Sequence, residues 1–305
     1  MSFILLGILN SQVAGAGVAG VAGYVAGGQN SGGFLDTVDK FAFPGDSRTT
    51  LATGLSTARE GHAGFSNVNV AGYAAGGSES SSKTNTVDKF AFPGDSRTTL
   101  GTGLSNTVGG VTGFSNAAVA GYAAGGRDAS AVSTVDKFAF PGDSRTTLAT
   151  GLSTARDFGA GFEDKAVAGY YAGGFAGSLV STVDKFAFPG DSRTTLGTGL
   201  SSAKNVIGGF SDPAVAGYVA GGGFLDTVDK FAFPSDSRTT LATGLSSSRR
   251  TTGFANPAVA GYAAGGQTSS TYVSTVDKFA FPSDSRSTLA TGLSISRRTT
   301  GFQNA

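Results

Sequence analysis

Apolar runs of five to eight residues follow one another along the chain, each stopped by Gly, Pro, Asn, Asp or Ser. Over residues 63–105 the order is AGFSN, NVAGYAAGG, the polar loop SESSSKTN, TVDKFAFP, the turn GDS and RTTLATGLS. Runs of this length between turn formers read as strands. In VDKFAF, Phe90 and Phe92 fall on one face of a strand, and Val87, Lys89 and Ala91 on the other. Pro93 ends that strand, because it lacks the donor a ladder needs. Gly94, Asp95 and Ser96 then make a turn, where an Asp side chain bonds nearby amides. The one helical candidate, LSTAR at 55–59, is a single turn beside glycine and reads as a loop.

This pattern recurs six times. TVDKFAF places Val38, Val87, Val135, Val183, Val228 and Val276, and GYxAGG places Tyr24, Tyr73, Tyr122, Tyr170, Tyr218 and Tyr262. A spacing near 48 residues belongs to repeat architectures. Each unit supplies four strands: a (GFSN), b (VAGYxAGG), c (TVDKFAF) and d (RTTLATGL). A single sheet with two apolar faces must bury both against neighbours. The prediction is an all-β, six-bladed β-propeller of four-stranded antiparallel blades. The small side chains of strand b suit a crowded axis. The phenylalanine pairs of strand c, such as Phe41 with Phe43 and Phe90 with Phe92, suit the wider wedges between blades. The FAF, GF and GY positions hold 24 of the 31 Phe and Tyr residues, so those rings read as core and not as ligand platforms.

The order of the markers predicts how the ring closes. The GF segments begin at Phe65 and end at Phe302, so strand a of the first blade is expected from residues 299–305. Residues 18–305 form the propeller on this reading. Residues 1–17 are then an apolar arm or an extra strand, with the arm preferred. Phe3, Ile4, Leu5, Leu6 and Leu9 become candidates for contact with a partner, including a second copy of the chain. That stretch has no basic leader and is shorter than a membrane span.

Composition narrows the function classes. Charged residues make up 14% of the chain and net charge is +1, which gives no footprint for nucleic acid. The absence of cysteine removes thiol chemistry and localises nothing. The four charges typified by Asp39, Lys40, Asp46 and Arg48 recur in every unit. They read as turn caps and ion pairs that set strand c against strand d. His62 is the single histidine and reads as a surface loop residue. Neither a metal cage nor a dinucleotide loop is recognisable, and no cofactor is expected. Glu60, Glu79, Asp128, Asp157, Glu163 and Asp164 are carboxylates outside the repeat, and nothing in their spacing selects a catalytic pair.

The variable segments between AGG and TVDK, and those after GLS, would emerge from the ends of a rigid scaffold, where recognition is usually carried. Phe34, Phe175, Phe224 and Tyr272 lie in the first set, outside the repeated core pattern. They are candidate contact residues, or plugs over the blade ends.

The GG pair of AGYAAGG and the aromatic of VDKFAF resemble kelch-type β-propellers, although strand d, TTLATGLS, lacks the tryptophan usual there. GYAAGG, VDKFAF and LSTAR together are similar to divergent kelch-like repeats in structural proteins of tailed phages. That resemblance implies a non-enzymatic structural or adhesion module: a virion decoration, tail or fibre-associated protein at a virion or extracellular surface. Its partners would be other virion or surface proteins and a host glycan. The alternatives are a glycan-binding propeller, a glycan-cleaving one with paired carboxylates in the channel, and a kelch-type protein-interaction scaffold.

Overall fold

The computed structural model describes residues 21–304. Its 24 strands form six four-stranded antiparallel sheets, and each innermost strand touches those of the preceding and following blades around a ring. Blade 2 is typical, with strands a to d at Ala63–Asn67, Ala71–Ser78, Lys83–Ala91 and Ser96–Thr99. Phe65 lies opposite Tyr73, Tyr73 opposite Lys89, and Lys89 opposite Thr98. Blades 3 to 6 begin with strands a at Thr112–Asn116, Ala160–Asp164, Gly208–Asp212 and Arg250–Asn256. Blade 1 takes its strand a from the C-terminal side of the chain: Arg298–Asn304 pairs with Ala22–Asn30, and Phe302 faces Tyr24. The predicted closing strand is therefore present. Residues 1–17, with Phe3, Ile4, Leu5, Leu6 and Leu9, lie outside the described residues.

Strand a, and not strand b, is the one crowded at the axis. Each glycine before its phenylalanine lies against the backbone of the preceding blade. A Cβ on Gly113 would sit 2.2 Å from the carbonyl oxygen of Gly64, and one on Gly161 only 1.8 Å from that of Gly113. The glycines of strand b admit rings instead, since a Cβ on Gly121 would meet the Phe65 ring at 2.0 Å. Phe65 stacks on Tyr73 at 5.0 Å and on Phe138 of blade 3 at 5.6 Å, while Tyr73 stacks on Phe140 at 5.4 Å. Each such pair adds ~0.5–1.5 kcal/mol beyond area burial. Phe41 and Phe90 are fully buried in equivalent wedges, as predicted for strand c.

Two polar latches cross each seam, and one corrects the expected role of the repeated charges. Asp143 of the blade 3 turn accepts from the Tyr73 hydroxyl at 2.7 Å and from Lys89 Nζ at 2.6 Å, both in blade 2. Asp46 takes Tyr262 and Lys278 in the same way and so joins blade 6 to blade 1. Asp46 thus ties blades together instead of setting strand c against strand d, because its turn projects past its own sheet toward the neighbour's tyrosine. Arg48 keeps the in-blade role, reaching Thr50 at 3.0 Å and Asp39 at 3.5 Å.

The second latch uses the loop that LSTAR forms, as expected, in place of a helix. Arg59 is fully buried with Nη2 2.9 Å from Asp88 Oδ2, and the Ser56 amide and hydroxyl each donate to that oxygen at 2.8 Å. Burial alone would raise the Asp88 pKa, but the Arg59 charge and the Ser56 donors outweigh it and hold it below the usual carboxylate range. Arg156, Arg249 and Arg297 repeat the pair with Asp184, Asp277 and Asp39, and Lys204 does so with Asp229. Blade 3 has Val108 at this position, and Asp136 is held by Ser105 and Thr147.

Candidate functional site at the axial mouth

Antiparallel order puts the a–b and c–d turns on one face of the ring. The b–c loops and the connections entering strand a lie on the other, the loop face. At the centre of the loop face the starts of all six strands a surround a hollow of about 90 Å3. Its floor is the glycine ring of Gly64, Gly113, Gly161, Gly209, Gly253 and Gly301. Its wall includes Glu60, His62, Val111, Phe158, Ile207 and Arg298, and around it the residue that follows the buried latch position differs from blade to blade. In blade order from 1 to 6 these are Arg298, Glu60, Gly109, Asp157, Asn205 and Arg250. Near-identical units therefore diverge in charge and shape where the channel opens.

Three clusters form there. Arg298 grips Glu60 with two parallel bonds, Nε to Oε2 at 3.0 Å and Nη2 to Oε1 at 2.7 Å, and Nη2 also reaches Gln29 at 2.7 Å. Such forks are geometrically specific and strong. Arg127 lies over the Phe175 ring at 5.4 Å and pairs with the nearly buried Asp157. Arg250 lies over the Phe224 ring at 4.5 Å, and its Nη1 is 3.5 Å from Gln267. No carboxylate of the described residues pairs with Arg250. Its pKa is lowered by burial and then by the Arg298 charge, with Glu60 and Tyr272 acting the other way.

The loop aromatics thus have definite places. Phe224 and Phe175 are platforms for arginines, and Tyr272 pairs opposite Gln267 beside Arg250. Phe34 pairs opposite Gln29, the amide that Arg298 holds. All four are half-buried. The glycine of GGGFLD shortens the blade 5 loop and leaves Phe224 at φ +63°, in the left-handed region where a bulky side chain is strained. Arg250, Arg298 and Gln29 were not singled out from the sequence. The available signal was the alignment of STAREG, STARDF, SSRRTT and ISRRTT on their latch arginine, which isolates the next position as the one that changes sign.

The carboxylates separate along the axis. Glu60 lines the mouth and Asp157 is buried, each engaged by an arginine. Glu79 bonds Thr57 and Ser82, and Asp128 faces Lys83 on the b–c rim. Glu163 lies one layer below the glycine floor, in a channel segment of about 50 Å3 shared with Ser66, Ser115 and Ser211. Burial pushes its carboxyl up to about 7, against a backbone donor from Ser115. Asp164 sits at the far end, raised by burial.

His62 corrects the expectation of a surface histidine. It is 1% exposed, and its Cε1 lies 3.1 Å from where a Cβ on Gly27 would be, in the seam between blades 1 and 2. Neither ring nitrogen has a partner, and burial, aided by the Arg59 charge, pushes its pKa down to about 3. Glycine at both neighbouring strand ends makes the room, which the loop sequence REGHAG does not show.

The described residues define a closed six-bladed propeller with one asymmetric axial mouth. No family model matches the chain, and no curated protein matches it. Among solved structures it is similar to that of YjhT, with a TM-score of 0.69 and 14% identity, over 90% of this chain and 98% of the other. The likeness is one of fold. It replaces the assignment to phage kelch-like repeat proteins, and with it the virion, tail and fibre role and the virion location. The non-enzymatic reading is withdrawn on the same finding. Its other support was the equivalence of six blades, and the mouth breaks that equivalence. No helix of the described residues is long and apolar enough to cross a membrane.

Proposed function

We propose that the chain is a carbohydrate-recognising propeller that seats a sugar in the axial mouth. The observation that carries this reading is the Arg298–Glu60 fork that lines the hollow at two of six structurally equivalent positions, the other four carrying unlike side chains. Glu60, Arg298 and Gln29 offer carboxylate, guanidinium and amide groups fixed by one another, which suits hydroxyls spaced around a pyranose ring. Val111, Phe158, Val206 and Ile207 supply apolar walls around the hollow. The hollow mixes apolar walls with a few oriented polar groups, the usual composition of a ligand site. Arg250, lacking a carboxylate partner, favours a sugar with an acidic substituent. The proposed setting is an extracellular surface, where such glycans are met.

Titration of neutral and acidic mono- and oligosaccharides by calorimetry tests the reading, with the same mixtures followed for newly released reducing ends. A sugar should bind, and Arg250→Ala should weaken an acidic one at least tenfold. Lys165→Ala on the opposite face should leave binding unchanged. Saturation by none of the panel at millimolar concentration, or equal binding by the Arg250 variant, refutes it. Release of reducing ends would assign cleavage as well.

A further inference from the structure

Blade 3 departs from the other five at the buried latch. In blades 1, 2, 4 and 6 an arginine Nη2 sits 2.9–3.0 Å from the latch aspartate and 3.2–3.5 Å from a carbonyl oxygen of strand b. Blade 5 puts Lys204 Nζ there, 3.4 Å from Asp229 and 3.2 Å from Thr227 Oγ1. One cationic nitrogen thus takes the same place in five blades. Blade 3 has Val108, a side chain with neither the charge nor the reach.

The oxygens around that place are nevertheless kept. Asp136 is 3% exposed, and its Oδ2 accepts from the Ser105 amide at 2.7 Å and the Ser105 hydroxyl at 2.8 Å, as the other latch aspartates do from their serines. Ala123 stands at the position of the strand-b carbonyl, and Thr134 at that of Thr227. Every other latch aspartate meets an outer arginine as well as its buried cation. Among the described residues Asp136 has only the outer one, Arg145, at 3.5 Å. A cavity of about 10 Å3 lies beside it, lined among others by Leu104, Asn106, Val108, Ala123, Thr134 and Asp136. That is room for one water-sized particle. Asn106 is exposed and donates to Thr134 Oγ1 at 3.3 Å, so one surface side chain guards the way in from solvent.

We propose that this cavity binds one small monovalent cation, ammonium or potassium, in the place that an arginine or lysine nitrogen takes in the other blades. A buried carboxylate is costly unless it is paired, which favours a cation over water there. One carboxylate among neutral oxygens suits a single positive charge. Calcium and magnesium gather six or more oxygens at about 2.0–2.6 Å, a shell this cavity has no room to complete. The distances in the other blades are those of a nitrogen cation, which ammonium reproduces and potassium matches in size.

Urea unfolding at pH 7 and constant ionic strength provides the test, with choline chloride replaced stepwise by ammonium, potassium or sodium chloride. In the wild-type protein, replacing about 100 mM choline by the bound ion should lower the unfolding constant roughly fivefold along a saturating curve. Sodium, being smaller, should act less. Val108→Lys, which copies blade 5, supplies the nitrogen covalently and should unfold alike in all four salts. Asp136→Asn, which removes the carboxylate, should do the same. A response to ammonium alone, or to potassium alone, assigns the ion. Identical wild-type midpoints in all four salts, or an ammonium or potassium response that both variants retain, overturns the proposal and leaves the cavity to water. The wild-type comparison reads the binding even where a variant fails to fold.

Discussion

Replacing His62 by valine should remove a defined part of the protein's acid sensitivity. The imidazole is buried with both nitrogens unpartnered, and its folded pKa is near 3 against an ordinary 6.5. A base with a depressed folded pKa stabilises the fold above its unfolded pKa, and that stability is lost as pH falls through 6.5 toward 3, because the unfolded chain takes up the proton first. Integrating this linkage gives a loss of about 2.5 kcal/mol between pH 7 and pH 4.5. The figure changes by only a few tenths if the folded pKa is one unit higher, since pH 4.5 still lies above it. Val111 occupies the equivalent position in blade 3, so His62→Val has a precedent in the same fold. Urea unfolding of both proteins at pH 7 and pH 4.5 isolates the effect, because every other titrating group is common to the two. The wild-type protein should lose about 2.5 kcal/mol more than the variant over this interval. Equal losses refute the reasoning. So does a histidine NMR titration midpoint near 6.5 in the folded chain, which is easily read because His62 is the single histidine.

Glu163 should act in the opposite sense. Its folded pKa is raised, so its stabilising effect is complete below its unfolded value of 4.5 and disappears as pH rises to about 7. Glu163→Gln should lose this slope of up to ~1.4 kcal/mol per pH unit, read as urea midpoints between pH 5 and 7.5. Arg156→Leu removes the buried cation of Asp184 and leaves it only the longer contact with Arg193, so it should cost up to ~3–5 kcal/mol in denaturant unfolding, whereas Lys165→Leu on the exposed turn should cost little. Gly161→Ala places a methyl group where a carbonyl oxygen is 1.8 Å away, so it should prevent the ring from closing. A calorimetric melting temperature close to wild type for that variant would contradict the backbone contact at the axis.

Blade number, strand order and closure were legible in the chain because they rest on short-range chemistry repeated six times. Pro93 ends a strand wherever it stands, and the lag of Phe65 behind Tyr24 shows that the first inner strand is supplied from elsewhere. The seams were less legible. Asp143 and Tyr73 are 70 residues apart, and their bond depends on how far the turn projects past its own sheet. Burial of Arg59 was hidden because a charged residue ending a loop ordinarily faces solvent, and the carboxylate that permits its burial lies in a later strand. The mouth was hidden for a related reason. Glu60 and Arg298 come from opposite ends of the chain, and only ring closure makes them neighbours.

That closure also explains why the arginines, and not the loop tips, give the mouth its precision. In blade 2 the stretch between the buried latch residue and the strand-a phenylalanine is Glu60–Gly64, while in blades 6 and 1 it is Arg250–Gly253 and Arg298–Gly301, one residue shorter. The shortening draws these arginines into strand a itself, which runs for 7 residues in those blades against 5 in blade 2. Arg250 then pairs directly opposite Gln267, and Arg298 opposite Gln29, each beyond a register shift in the sheet. The backbones of Glu60, Gly109 and Asp157 join their sheets only through isolated bridges. A site built on a strand is held more exactly than one on a loop. The two adjacent blades that carry Arg250 and Arg298 are therefore the stiff side of the mouth, and restoring the missing residue by inserting a glycine after Arg250 should loosen sugar binding while leaving the six-bladed ring intact.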